Sequence, residues 1–464
     1  MNDLIKKIDE LIDLSDEALI RDTSDYVNIK SDEGEPEPGA PFGAGPKAVI
    51  DKFLADAERD GFITKDYGVG VASAATGAGE IDLGIWLHGD VVPAGDDWRY
   101  PPYNATYYKG CVIGRGATDN KGQLAAIYNL FLIFKSLGVD LGYNAAIFVG
   151  SNEETGMRDI DGGKSGENGF LQVAKPPRMS LVPDSGFPVG YGGKGAMTLT
   201  LKSTKKIKSF TINGGLPEAR GYAEAEIKNG AFDGEISGVS VTRGEKTTIS
   251  AYSIPRHTTN PDPNGNMITA LARALLESGA VAKSERFVPE FLRDISLDIY
   301  GELLGINTEH EVMKRLTVYP LEVRTVQGNA ELVLAIRYPV GITCEEIVAR
   351  AEKYAKTRGF TVAKGIRRLT PYILDPNSRE VKLLHEASRE VTGEDKEPFT
   401  LSGGTYAHKL PNAFVFGTNG NLPPDDFEKG RGGAHGVDEC VSIERLKRAM
   451  KIYARALLRL KEIL

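Results

Sequence analysis

Three short apolar runs dictate the architecture. Residues 81–87, 144–149 and 179–182 are nearly devoid of charge over strand-like lengths, and a helix-period stretch at 122–137 lies between the first two. A strand buried on both faces reads as a continuous apolar run, and such strands belong to parallel sheets covered by helices. The pattern predicts an α/β domain with a mixed, mostly parallel sheet flanked by helices, preceded by a Gly/Pro-rich acidic loop at 31–46. From about Gly195 to Pro371 the texture changes to alternating strands such as 197–201 and 331–336, with helices at 266–278 and 344–358. The closing segment returns to the first texture, with a helix from Ser378, an apolar strand at 413–416 and a helix from Ser442. The expected organisation is one discontinuous domain, 1–188 with 373–464, and an inserted α+β domain, 189–372.

Charge and cysteine usage remove several classes of function. Lys and Arg total 56 against 64 Asp and Glu, and a net charge of -8 opposes binding to a phosphate backbone, so no nucleic acid partner is expected. No apolar run approaches the ~20 residues needed to cross a bilayer, and the start lacks the apolar core of a secretory signal, which gives a cytoplasmic, membrane-free expectation. Cys111, Cys344 and Cys440 are odd in number and far apart, suggesting neither a disulfide framework nor a thiolate zinc site. Any metal must be held by His, Asp and Glu.

Those residues gather at the ends of the apolar runs, where open α/β sheets place their ligand sites. His88-Gly89-Asp90 closes the first run. If the strand persists, residues two apart face the same way, so Asp90 accepts one ring N–H of His88 and leaves the other nitrogen for a metal. Gly114-Arg115-Gly116-Ala117-Thr118-Asp119-Asn120-Lys121-Gly122 sets a carboxylate on a Gly-rich turn before a long helix, where Asp119 alone would serve as an N-cap. Glu153-Glu154 follows the second run. Adjacent carboxylates repel unless a cation or solvent relieves them, and one division of labour makes one a ligand and the other a base. Asp184 ends the third run, and His435 lies in a Gly-rich loop near the end of the chain.

Singly these motifs are ordinary. In order and context they resemble the aminoacylase and carboxypeptidase G family of dinuclear zinc metallopeptidases, in its peptidase V-like, Xaa-His dipeptidase branch. The resemblance rests on His-x-Asp-Val-Val-Pro-Ala-Gly at His88, Gly-Arg-Gly-x-x-Asp-x-Lys-Gly around Asp119, Glu-Glu-Thr-Gly at Glu153, Arg-Tyr-Pro at Arg337 and Gly-Gly-Thr-Tyr-Ala at Gly403. It implies one metal bound by His88, Asp119 and Asp184 and another by Asp119, Glu154 and His435, with Asp119 bridging. The family's catalytic carboxylate falls on Glu153 and its His-orienting acid on Asp90. The implied activity is hydrolysis of unblocked dipeptides through a metal-bridging hydroxide with Glu153 as general base. Oxygen and nitrogen ligands suit zinc, and manganese or cobalt as well.

The inserted domain resembles the family's lid, and the resemblance implies a monomer. Arg256-His257-Thr258-Thr259-Asn260-Pro261 resembles the lid histidine motif, giving His257 the role of stabilising an oxyanion. Arg337 would grip a free C-terminal carboxylate, and Gly403, Gly404 and Thr405 complete the implied substrate contacts. His310, His385 and His408 are read as structural. One departure stands out: Gly214-Gly215 is followed by Leu216-Pro217-Glu218-Ala219-Arg220, where relatives carry an Asn-x-Val-Pro stretch, so the lid asparagine has no counterpart. Two other readings remain open. One is an N-acyl amino acid or acyl-diamine amidohydrolase of the same family, and the other a non-catalytic peptide binder, which would have no use for a base at Glu153.

Overall fold

The computed structural model describes residues 2–163, 167–215, 221–228, 238–253, 261–262, 265–418 and 422–464. The chain divides into two units, Met1–Gly192 with Leu374–Phe399 and Thr405–Leu464, and Gly193–Ile373 with Thr400–Gly404. The excursion at Thr400–Gly404 is absent from the boundaries read in the sequence. Its cause is a backbone bond: the Lys194 N–H donates to the Leu401 carbonyl at 2.8 Å and ties this stretch to the start of the second unit.

In the first unit, Leu83–His88 lies between Ala145–Gly150 and Met179–Val182, with Ala413–Val415 beyond the latter, and these four strands are parallel. Val71–Ala75 and Ile63–Asp66 extend the sheet antiparallel past Ala145–Gly150. Every residue of the four central strands is buried, the physical reason they read as unbroken apolar runs. Trp86 stacks on Phe148 with centroids 4.1 Å apart, and Phe170 meets both rings edge-on, a packing that fixes the register beneath the strand ends. The helix Gly122–Ser136 is buried along most of its length. The helices Arg379–Thr392 and Ile443–Leu460 begin where Ser378 and Ser442 accept the N–H groups of Val381 and Arg445, so both serines act as N-caps. Arg455 of the last helix pairs with Asp9 and Glu390, joining chain start and chain end.

The second unit is an antiparallel sheet in the order Ser240–Arg243, Thr247–Ser253, Gly221–Ile227, Phe210–Gly215, Thr317–Val326, Asn329–Tyr338, Gly195–Ser203, Phe360–Leu369. Gly221–Ile227 alternates buried and half-buried positions, as expected of a sheet with one face on a core. That core is closed by the helices Met267–Glu277, Phe287–Leu297 and Cys344–Thr357, giving the α+β texture. Among the described residues no helix is long and apolar enough to cross a membrane.

Candidate metal and catalytic site

Because Leu83–His88, Ala145–Gly150 and Met179–Val182 run parallel, their C-terminal ends open on one edge of the sheet, and the loops bearing His88, Glu153 with Glu154, and Asp184 leave from it together. His88 and Gly150 are direct partners across two of these strands. Gly150 carries no side chain for a steric reason: a Cβ there would lie 2.0 Å from the Tyr406 hydroxyl.

Asp90 faces His88 by a turn of the chain, not by strand alternation. The strand stops at His88, the chain turns, and the nearest acceptor to His88 Nδ1 is the Asp90 carbonyl at 3.0 Å, with the carboxylate Oδ1 at 3.5 Å. The Asp90 carboxylate also holds backbone, Oδ1 accepting the Glu153 N–H at 3.1 Å and Oδ2 the Glu154 N–H at 3.0 Å. It fixes His88 from one side and the paired glutamates from the other.

Asp119 sits in a tight turn, Ala117–Lys121, entered through Gly116 at a left-handed φ of 83°. A Cβ on Gly116 would stand 2.6 Å from Val91 Cγ1, so glycine answers both the backbone and the space. Asp119 does not act as an N-cap. Its Oδ1 lies 3.0 Å from His88 Nε2 and its Oδ2 3.1 Å from His435 Nε2, so one carboxylate joins the two histidines. His435, itself at a left-handed φ of 62°, is also 3.1 Å from Glu154. Asn120 donates to Asp184 Oδ1 at 3.3 Å and to the Pro183 carbonyl at 3.0 Å, aiming the aspartate. Ligand atoms of His88, Glu153 and Asp184 lie within 4.8 Å of one another, as do those of His88, Asp119 and Glu154.

The electrostatics are those of a cation site. Burial and the Asp184 charge push the Glu153 carboxyl well above its ordinary value; burial and Asp119 do the same to Asp184 and raise Glu154 to about 7. Burial also works against ionised Asp119, but hydrogen bonds from His435 and His88 outweigh it and hold Asp119 low. Burial opposes charge on His435, yet Asp119 and Glu154 lift it to about 11. Glu153 Oε1 is buried without a hydrogen-bond partner among the described residues. Crowded carboxylates, two imidazoles and an orphaned buried oxygen fit a divalent ion with oxygen and nitrogen donors.

Arg337 is half-buried near the end of Asn329–Tyr338 in the second unit, paired in register with Thr317 and Ala196, and burial lowers its pKa. Gly403 and Gly404 also belong to that unit. Thr405 is 2% exposed, and its hydroxyl accepts the Ala407 N–H as cap of the short turn Tyr406–His408. His257 and residues 216–220 lie outside the described residues.

Asp159 is a site-shaping residue with no sequence signal singled out. It accepts the N–H groups of Ser151 and Asn152 at 2.9 and 3.1 Å and the hydroxyl of Tyr406, whose own clue is its place in the Gly-Gly-Thr-Tyr-Ala motif. Burial raises the Asp159 carboxyl to about 7. Asp90 and Asp159 therefore pin four consecutive backbone N–H groups, residues 151–154, and the glutamates inherit that rigidity.

A mixed sheet flanked by helices, carrying histidines and carboxylates at the ends of its parallel strands, defines a hydrolase of the metallopeptidase class. Residues 85–459 match the model of peptidase family M20/M25/M40, and the chain belongs to that family. "Putative dipeptidase YtjP" of Bacillus subtilis (strain 168) is 27% identical over 468 residues, covering 95% of this chain and 96% of the relative. Human carnosine dipeptidase 1 shares the fold with a TM-score of 0.57 at 16% identity, over 99% of this chain and 100% of that one. So does the Bacillus subtilis YXEP protein, described as a dinuclear metal binding peptidase, with a TM-score of 0.51 at 12% identity over 97% and 100% of the two chains.

Proposed function

We propose that the chain is a two-metal dipeptidase in which Glu153 is the general base. The observation that carries the reading is the position of Glu153: buried, with one oxygen unpartnered among the described residues, and in one candidate ligand cluster with His88 and Asp184. The names of the relative and structural neighbour above support the dipeptide as substrate and two ions as cofactor. His88, Asp119 and Asp184 would hold one ion and Asp119, Glu154 and His435 the other, zinc being our first choice over manganese or cobalt. Ions held there would supply Lewis-acid polarisation of the scissile carbonyl and acidify a water molecule. Glu153 takes the proton of the attacking water and returns it to the leaving nitrogen. Asp90 and Asp159 hold the segment that bears Glu153, so the base meets its proton without a search. We further propose cytoplasmic action by a monomer, where the three buried free thiols stay reduced.

Metal uptake is expected to release protons. An imidazole binds metal in its neutral form, and His435 has its pKa raised to about 11, with His88 raised in the same direction, so an arriving ion must displace a proton at His435. A raised pKa means competition from protons that strengthens as pH falls, so apparent zinc affinity rises with pH. Titration calorimetry in two buffers of different ionisation enthalpy measures the protons released; uptake without proton release would contradict the ligand set.

The substrate reading is tested on metal-stripped protein resupplied with zinc or manganese. A free dipeptide, its C-terminal amide, a pentapeptide beginning with the same residues and an N-acyl amino acid are compared. We assign recognition of the free carboxylate to Arg337 on the strength of the Arg-Tyr-Pro motif. Arg337→Ala should raise KM and lower kcat/KM on the dipeptide by about 1.5–3 kcal/mol, the scale of a charged hydrogen bond, and amidation of the substrate should mimic it. Equal wild-type rates on dipeptide, amide and pentapeptide would dismiss the carboxylate clamp, while preference for the acylated amino acid would favour the amidohydrolase reading.

A further inference from the structure

We propose that the buried ion pair Arg115–Glu439 is a positioning device that sets the metal affinity of the site, an inference resting on the two-metal reading above. Both side chains are almost fully enclosed, 2% and 1% exposed, and neither belongs to the ligand set. Glu439 Oε1 accepts the N–H groups of Thr118 and Asp119 at 2.9 and 3.0 Å; its Oε2 accepts the Gly116 N–H at 3.1 Å and Arg115 Nη1 at 2.6 Å. One carboxylate thus holds the whole turn on which Asp119 rides.

The guanidinium holds a different part of the site. Arg115 Nη2 donates to the His435 carbonyl at 3.2 Å, and Nη1 to the next carbonyl, Gly436, at the same distance. Nη2 also reaches the carbonyls of Pro93 and Ala94 at 3.3 and 3.4 Å, on the segment leaving Asp90. The face of Trp98 lies 5.2 Å away and limits the swing of the planar group. Asp119 and His435 are more than 300 residues apart in sequence, yet their backbones are fastened to the two halves of one ion pair. A fixed fork can tie two loops together where a point charge cannot. Groups behind the ligands typically alter metal affinity by about 10–100-fold when changed.

A purely structural pair would change melting temperature without changing how tightly metal is held, and the test separates the two. Zinc affinity of the full chain is measured by competition with a chromogenic chelator, alongside the melting temperature of metal-stripped protein. Glu439→Gln keeps the shape but loses the charge and one acceptor, and is expected to weaken zinc by about 10–100-fold. Arg115→Lys keeps the charge but loses the fork, and should weaken one of the two zinc ions more than the other, the one on the His435 side. If Glu439→Gln does not accumulate as folded protein, Arg115→Lys carries the test by the same titration. Variants that melt earlier but hold both ions within about twofold of wild type would overturn the inference and leave the two-metal reading standing. Wild-type protein that takes up neither zinc nor manganese would overturn both.

Discussion

Asp119→Ala protein should emerge from metal loading with fewer than two ions per chain and without measurable dipeptidase activity. Among the described residues Asp119 is the one carboxylate in contact with both histidines, Oδ1 toward His88 and Oδ2 toward His435 at 3.0 and 3.1 Å. Removing it takes a ligand from each proposed ion at once. It also removes the charge that, together with burial, raises Glu154 and Asp184, and leaves those carboxylates and Glu153 to face whatever cation remains with poorer geometry. Lewis-acid stabilisation contributes several kcal/mol, so its loss corresponds to a rate drop of about three orders of magnitude or more. Metal analysis after exhaustive dialysis, with Asp119→Asn as a control of the same volume, gives the answer. Two tightly held ions and a wild-type rate in the alanine variant would end the bridging assignment.

The fold was readable where burial leaves a one-dimensional trace. The parallel strands Leu83–His88, Ala145–Gly150 and Met179–Val182 are buried on both faces, so composition alone marks them. The serines before Arg379–Thr392 and Ile443–Leu460 mark helix starts for the same reason that they stabilise them, a side-chain oxygen offered to an unpaired N–H. Other elements left weaker traces. Phe287–Leu297 contains Pro289, which reads as a breaker but lies in the first turn, where no backbone donor is needed. Thr317–Val326 contains Pro320, which argues against a strand until the structure shows it at a register shift opposite Asn329–Tyr338.

The same division runs through the site. Histidines and paired carboxylates at strand ends announce themselves, because few other residues do that chemistry. Their supports do not. Glu439 accepts the Gly116 N–H across 323 residues of sequence, and Asp159 acts on backbone groups, which leave no mark on residue type. Asp90 meets His88 Nδ1 with its carbonyl at 3.0 Å and its carboxylate at 3.5 Å, and what left no mark in the sequence is its hold on the Glu153 and Glu154 N–H groups, set by the turn after the strand ends at His88. The candidate ligands were legible; what holds them was set by loop geometry.

Glu153→Gln separates the base from the ligands. Glutamine has the shape of the carboxylate and cannot accept a proton from water, so the variant should keep both ions while turnover falls by about two to four orders of magnitude, the range for lost general acid–base catalysis. The substitution also changes the pH profile in a stated direction. Burial and the Asp184 charge raise the Glu153 carboxyl, and a base works only when deprotonated, so the wild-type rate climbs as pH rises through that raised value. Bound cations draw the value back down, but the acid limb remains attached to Glu153, and the glutamine variant should lack it. Metal content decides the competing assignment, for Glu153 stands within 4.8 Å of His88 and Asp184 ligand atoms and is near enough to coordinate. A Glu153→Gln protein missing one ion would move Glu153 into the ligand set and leave Glu154 as the candidate base. Retention of both ions with an unaltered rate and an unaltered acid limb would instead take Glu153 out of the proton path altogether.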